Sequence, residues 1–199
     1  MIFERAILLA KIESVYGSNP TPTAADDAFI TSVPVVTVIG EHRERNVARA
    51  GFAMPGGINI GQGLQVEFSV ELRGTDGLDD TPPKIFTLFR ACGLEQTIIS
   101  LVSATLTPIT SHDGESVAII VNFDGTQHLI LGCRGTFKID FNNNDVVMVN
   151  FTFSGKYAGT HETAVAFPAG TFADTVDRLV FRGASLSLNG VTSLVFENI

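Results

Sequence analysis

Leu64-Gln-Val-Glu-Phe-Ser-Val-Glu-Leu72 alternates apolar and polar residues without a break. In an extended chain successive side chains point to opposite sides. Leu64, Val66, Phe68, Val70 and Leu72 therefore share one face, and Gln65, Glu67, Ser69, Glu71 and Arg73 share the other. A helix would scatter this pattern around its circumference. The segment is predicted to be a strand with one buried face and one face turned to water or to a partner's polar surface. The rest of the chain has to supply a sheet around it.

Strand patterns recur downstream. Ser116 to Phe123 runs into Asp124-Gly125 and then Gln127 to Leu131, and Asp-Gly suits the positive φ angles of a tight hairpin turn. Phe137, Ile139 and Phe141 alternate with Lys138 and Asp140 ahead of a polar turn at Asn142 to Asp145. The return strand sets Val147, Val149, Phe151 and Phe153 against Met148, Asn150, Thr152 and Ser154. A last hairpin is expected from Ala184 to Leu188 and Val191 to Phe196 around Asn189-Gly190. These patterns predict a mainly antiparallel β protein.

One short α-helix is predicted over about residues 82–92. Thr81 is a candidate N-cap, Pro82 and Pro83 suit a first turn, and Gly93 offers a stop. Ile85, Leu88, Phe89 and Cys92 form its apolar stripe, which must dock on the sheet because so short a helix is marginal alone. Three stretches are predicted to be irregular arms: 16–27, 51–63 with its five glycines and Pro55, and 158–177. No internal repeat is evident, and residues 1–199 are expected to make one domain.

Composition narrows the function classes. With 199 residues, 45% of them hydrophobic, the chain can build a substantial core. A mean hydropathy of +0.28 excludes disorder as its main state. Lys and Arg number 13 against 21 Asp and Glu, a net charge of −8, which disfavours a reader of nucleic-acid phosphates. The 15 Phe, with no Trp, point to a large core or to apolar surface awaiting a partner. Met1 to Ala10 places Glu4 beside Arg5 and has no basic leader region, so no signal peptide is expected. No apolar window approaches about 18 residues, so no membrane-spanning helix is expected. Phe196-Glu-Asn-Ile199 closes the chain directly after a strand pattern, which points to a natural continuation. Cys92 and Cys133 sit in apolar neighbourhoods and read as buried free thiols, a single disulfide being the alternative.

Catalytic and metal-binding patterns fail one by one. Ser111-His112-Asp113 holds the triad residue types, but consecutive side chains diverge and cannot form a relay. His42, His112, His128 and His161 belong to no paired ligand motif. Asp140, Asn142 and Asn144 mimic the start of a calcium loop, yet Asp145 replaces the required Gly and Phe151 the bidentate Glu. Gly57 to Gly63 lacks the Lys-Ser/Thr of a phosphate loop and leads into a strand. Glu67 and Glu71 would stand about 13 Å apart along one strand, with nothing beside them to support glycosidic chemistry. Glu41-His-Arg-Glu-Arg45, with Arg49, mixes its signs and reads as a solvated or inter-subunit salt-bridge segment. No catalytic, metal or cofactor site is expected.

Several segments then fall into a familiar order. Leu8 to Glu13 leads into Tyr16-Gly-Ser-Asn-Pro20 and Thr21-Pro-Thr; Phe68 to Gly74 is an acidic strand; Leu88-Phe-Arg-Ala-Cys-Gly93 ends the helix. Asn122 to His128, Gly132-Cys-Arg-Gly-Thr136 and Phe151-Thr-Phe-Ser-Gly-Lys-Tyr157 follow. In this order the chain resembles the major tail tube proteins of long-tailed, non-contractile bacteriophages. Its Gly51 to Gly63 loop is richer in glycine than the resemblance leads one to expect, and such proteins often run longer at the C-terminus.

The resemblance implies an antiparallel β-sandwich or open β-barrel with one flanking helix, in a virion tail protein made in the bacterial cytoplasm. It implies homo-hexameric rings that stack into a tube around the tape-measure protein and then DNA, with tail tip and tail terminator proteins as further partners. On that basis Gln65, Glu67, Ser69, Glu71, Asn150, Thr152 and Ser154 are lumen-facing candidates, the alternative being that they face outer solvent. Acidic residues on such a wall would repel phosphates. Irregular arms suit contacts between stacked subunits, so Tyr16, Pro20, Pro22, Arg43, Arg45, Arg49, Phe52, Met54 and Pro55 are inter-subunit or inter-ring candidates. Competing readings are a tail terminator or head-tail joining protein, a tube-like part of a secretion apparatus, a soluble β-sandwich ligand-binding module, and an enzyme with an unrecognised site.

Overall fold

The computed structural model describes residues 5–45, 56–74, 82–111, 113–123, 125–142, 144–165, 167–170, 172 and 179–181, leaving aside the side chains of 59, 62 and 159–165. In chain order the strands are β1 (Ala6–Ile12), β2 (Ala28–Phe29), β3 (Val35–Arg43) and β4 (Ile58–Glu71), then the helix α1 (Phe86–Arg90). After it come β5 (Leu94–Ile99), β6 (Ser103–Pro108), β7 (Val117–Phe123), β8 (Gly125–Asp140), β9 (Asp145–Val146), β10 (Met148–Val165) and β11 (Val180–Phe181). Seven strands form one antiparallel sheet in the order β2-β1-β7-β8-β10-β4-β3. The pairs β5-β6 and β9-β11 stand apart from it.

The two edges of this sheet come from one piece of chain. Phe29 of β2 pairs with Leu8 of β1, and Thr31 forms a bridge to Val70 of β4. Two residues reach about 7 Å at most, so the sheet has curled until β1 and β4 stand near each other. Ser32 secures the crossing: its N–H donates to the Ser69 carbonyl at 2.8 Å and its Oγ accepts from the Ser69 N–H at 2.9 Å. Pairing at this seam is too sparse to close the ring of strands. The result is the antiparallel open barrel with one flanking helix expected from the sequence.

The inner face of the curl is apolar on every strand. Leu8, Leu64, Val66, Phe68, Val70, Val117, Ile119, Val121, Ile130, Val149, Phe151 and Phe153 are buried together. Phe151 is the hub, with ring centroids 5.7 Å from Phe68, 5.7 Å from Phe153 and 5.5 Å from Phe89. Burying such a side chain contributes roughly 1.5–3 kcal/mol. Helix α1 covers this face with Ile85, Leu88 and Phe89, three members of the predicted stripe, while Cys92 is half-buried.

The helix is shorter than the predicted 82–92. The Phe86, Thr87 and Leu88 N–H groups donate three residues back, to Pro83, Lys84 and Ile85, so a tight turn precedes the α-helical part. Its N-cap is Ile85 and makes no side-chain cap bond; Thr81 lies outside the described residues. The expected arms also shrink. Residues 58–63 belong to β4 because β3 pairs with them, as in His42 with Asn59 and Ile39 with Gly63. Residues 158–165 belong to β10, which stays paired to β8 through three register shifts. Cross-strand hydrogen bonding overrides the glycines that suggested loops. The predicted hairpin at 184–196 lies outside the described residues.

The other face of the sheet is divided. Over β1 and β7 a second apolar cluster of Ile7, Leu9, Ala28 and Ile120 is covered by Ala24 and Phe167. Strand β7 is therefore buried on both sides from Val117 to Asn122. Over β8, β10 and β4 this face carries polar side chains and is open.

Candidate functional site

Register places the polar side chains of β4 and β10 opposite one another. Ser154 pairs with Gln65, Thr152 with Glu67, Asn150 with Ser69 and Met148 with Glu71. On the other side of β10, Ser154 faces Arg134, Thr152 faces Thr136, Asn150 faces Lys138 and Met148 faces Asp140. Directly opposed residues share a face, so all seven lumen-facing candidates lie in one patch with Arg134, Thr136, Lys138 and Asp140. Glu67 and Ser154 are exposed, and Gln65, Ser69, Glu71, Asn150 and Thr152 are half-buried.

Hydrogen bonds tie this patch together across three strands. The Ser69 hydroxyl donates to Asn150 Oδ1, and Asn150 Nδ2 donates to Asp140 Oδ2. Asp140 is paired with Lys138 at 2.7 Å, Glu71 with Arg73 at 2.7 Å, and Gln65 Nε2 donates to Glu67 Oε1 at 2.6 Å. The sequence suggested an acidic wall. The fold instead interleaves Glu67, Glu71 and Asp140 with Arg73, Arg134 and Lys138, so the net charge of −8 is not concentrated here.

Where β8 bends beside this patch, the arm after β1 is fastened. Glu13 is buried, and its carboxylate accepts from the Gly17 N–H at 2.7 Å, the Ser116 hydroxyl at 2.6 Å and the Gly132 N–H at 2.7 Å. Gly132 has a φ of 64°, and a Cβ there would come within 2.9 Å of the Tyr16 ring. Glycine is thus required both by the backbone and by the tyrosine lying over it. The guanidinium of Arg134 sits 5.3 Å from the centre of that ring, and its Nη2 donates to the Gly114 carbonyl. Tyr16 is exposed, while Pro20 and Pro22 are half-buried along the arm.

Arg43 and Arg45 lie far from this point, exposed at the outer end of β3, with Arg43 paired to Glu41 at 3.2 Å. Arg49, Phe52, Met54 and Pro55 lie outside the described residues. The cysteines are free, and burial pushes both thiols up to about 12, with the Glu13 carboxylate adding to the effect at Cys133.

A family model described as phage tail tube protein matches residues 4–199. The chain belongs to the phage tail tube protein family. As a tail tube protein it is a structural component of the virion tail, in a family that self-assembles into a tube and associates with other tail proteins, and that is not an enzyme class. Among solved structures, the chain is similar to the anti-feeding prophage cap, a tube-terminating cap determined by cryo-electron microscopy. Identity is 11% over 81% of this chain and 89% of that one, with a TM-score of 0.42. No curated protein matches. Among the described residues of this tail tube protein, no helix is long and apolar enough to cross a membrane.

Sequence reasoning missed Glu13 as an organising residue, because its partners Ser116 and Gly132 lie 103 and 119 positions away. The one local signal was an acidic residue closing an apolar strand. It also missed the β5-β6 hairpin, whose β5 strand runs Glu95-Gln-Thr-Ile-Ile99 without alternation.

Proposed function

We propose that this chain is the tube subunit of a long-tailed, non-contractile bacteriophage. Residues 1–199 act as one tail-tube domain, six copies form a ring, and rings stack into a conduit for the tape-measure protein and then DNA. The row Gln65, Glu67, Ser69, Glu71, Asn150, Thr152 and Ser154 lines the channel.

The observation that carries this reading is the patch itself. The curled sheet buries the apolar face of β4 and β10 and leaves their polar face open and cross-linked by hydrogen bonds. A wall between a protein core and an aqueous lumen needs this combination. Among the described residues β3 ends the sheet with no strand on its outer side, and a neighbour's strand added there would extend the wall. Two of the three lining cations are paired with carboxylates, Arg73 with Glu71 and Lys138 with Asp140, and Arg134 is held by the Gly114 carbonyl and the Tyr16 ring, so passing phosphates find little to hold, and exposed Glu67 adds repulsion.

Contacts between subunits and rings fall to the Tyr16, Pro20 and Pro22 arm, to Arg43, Arg45 and Arg49, and to the segment holding Phe52, Met54 and Pro55. Tail tip and tail terminator proteins cap the two ends, and no cofactor takes part. Negative-stain microscopy of the full-length protein at rising concentration tests the reading. Hollow, sixfold particles or tubes are expected, and a monomer that persists at high concentration contradicts it.

A further inference from the structure

Two strand edges of this chain lack the usual guards. Among the described residues β3 ends the main sheet, while β5 and β6 pair with each other alone, from Leu94 with Pro108 to Ile99 with Ser103. Natural edge strands carry charges or proline that keep a second chain from adding to them. Val35-Val-Thr-Val-Ile39 has neither: five β-branched residues stand in a row, with Val35 57% and Val38 74% exposed. Thr97-Ile-Ile99 repeats that composition at the outer end of β5, with Ile98 and Ile99 about half exposed.

The hairpin also needs a further strand. Its base is anchored where Leu94 and Leu106 pack against the core. Two strands alone are marginal in water, and a third gives such a unit stability of its own. Strand β6 is the poorer edge to receive it, because Pro108 has no N–H to donate.

Side chains on the two edges match in reverse order. Alternation puts Ile39, Glu41 and Arg43 on one face of β3, and Glu95, Thr97 and Ile99 on one face of β5; all are exposed. If β5 lies antiparallel along β3, Ile99 opposes Ile39, Thr97 opposes Glu41 and Glu95 opposes Arg43. Opposed side chains touch, so opposite charges attract there and like charges repel. A slip of two residues sets Glu95 against Glu41 in one direction and Ile99 against Glu41 in the other. The matched register alone avoids both. It also runs the exposed turn at Leu101 and Val102 alongside Val35 to Val38, apolar against apolar. Two different edges joined in this way make a head-to-tail contact, which leaves one of each for the next copy.

We infer that β5 of one copy adds to the β3 edge of a second copy, antiparallel, with Ile99 on Ile39 and Glu95 on Arg43. The inference rests on the tube reading, in which β3 takes a neighbour's strand, and it names that strand.

The test is disulfide cross-linking of assembled full-length protein, with wild type as the blank for Cys92 and Cys133. Opposed Cα atoms lie about 4.5–5.5 Å apart, within reach of a disulfide. Under mild oxidation Ile39→Cys/Ile99→Cys is expected to give a ladder of multimers that a reductant collapses. Val35→Cys/Ile99→Cys, out of register by about 13 Å, is expected to stay unlinked. Glu95→Arg is expected to melt as wild type does and to raise the concentration needed for assembly about tenfold. Glu95→Arg/Arg43→Glu is expected to restore it. Tubes that form at the wild-type concentration with no link in the Ile39→Cys/Ile99→Cys variant overturn the inference and leave the tube reading standing. So does a link formed by Ile39→Cys alone, which marks β3 paired with its own twin, and so does Glu95→Arg assembling like wild type. A wild-type chain that never leaves the monomer overturns the tube reading, and the inference with it.

Discussion

Glu13 and Gly132 meet through a 2.7 Å hydrogen bond from the Gly132 N–H to Glu13 Oε1. The contact joins the end of β1 to the bend in β8 and seats Tyr16 over the glycine. A charged acceptor serving three donors in a buried position is costly to remove, since each donor then loses its partner. Glu13→Ala is expected to destabilise the protein by about 3 kcal/mol in urea denaturation. Glu13→Gln is expected to cost less, because its carbonyl keeps one oxygen acceptor. Equal midpoints for wild type and Glu13→Ala contradict this.

Phe151 is 1% exposed at the centre of an aromatic cluster reaching Phe68, Phe89, Phe137 and Phe153. Phe151→Ala removes its contacts and leaves a void that the strands around it cannot fill. A loss of about 4 kcal/mol is expected, seen as a fall in melting temperature of the full-length chain. A loss under about 1 kcal/mol would place the core elsewhere.

Both thiols have values raised to about 12 by burial. The unfolded chain releases these protons at lower pH than the folded one does. Stability from this source is therefore level below about pH 9 and is lost as pH rises from there toward about 12. Urea midpoints measured across this window are expected to slope downward more steeply for wild type than for the Cys92→Ala/Cys133→Ala double variant. Identical slopes contradict buried thiols. At pH 8 the folded chain is also expected to react slowly with a thiol reagent.

Glu67 and Thr152 face each other on the open patch, away from the core. Replacing both with Lys is expected to change monomer stability by no more than about 0.5 kcal/mol. If this row lines the channel as proposed, the added cations are expected to slow DNA ejection in a salt-dependent way. Ejection unchanged at low salt argues against a lumenal position.

The strands that alternate were legible because each buries one face, and a period of two is written locally. The β4 pattern from Leu64 and the β10 pattern from Val147 correctly divided buried from open residues. Strand β7 is different: two apolar clusters bury it from opposite sides, so Val117 to Val121 reads as an undivided apolar run. Residues 58–63 and 158–165 looked like loops because their pairing partners lie elsewhere in the chain. The curl that brings Phe29 to Leu8 and Thr31 to Val70 depends on long-range pairing, and no local pattern encodes it. The lining candidates were named from one-dimensional alternation, whereas their balanced charge became visible only once β8 was placed beside β10.

The most direct test is a sixfold-averaged cryo-electron microscopy reconstruction of the particle assembled from the full-length chain. A hollow tube of stacked rings is expected, with Glu67, Thr152 and Asn150 on the channel wall. Rings that place these three residues on the outer surface, or a protein that forms no rings, contradict it.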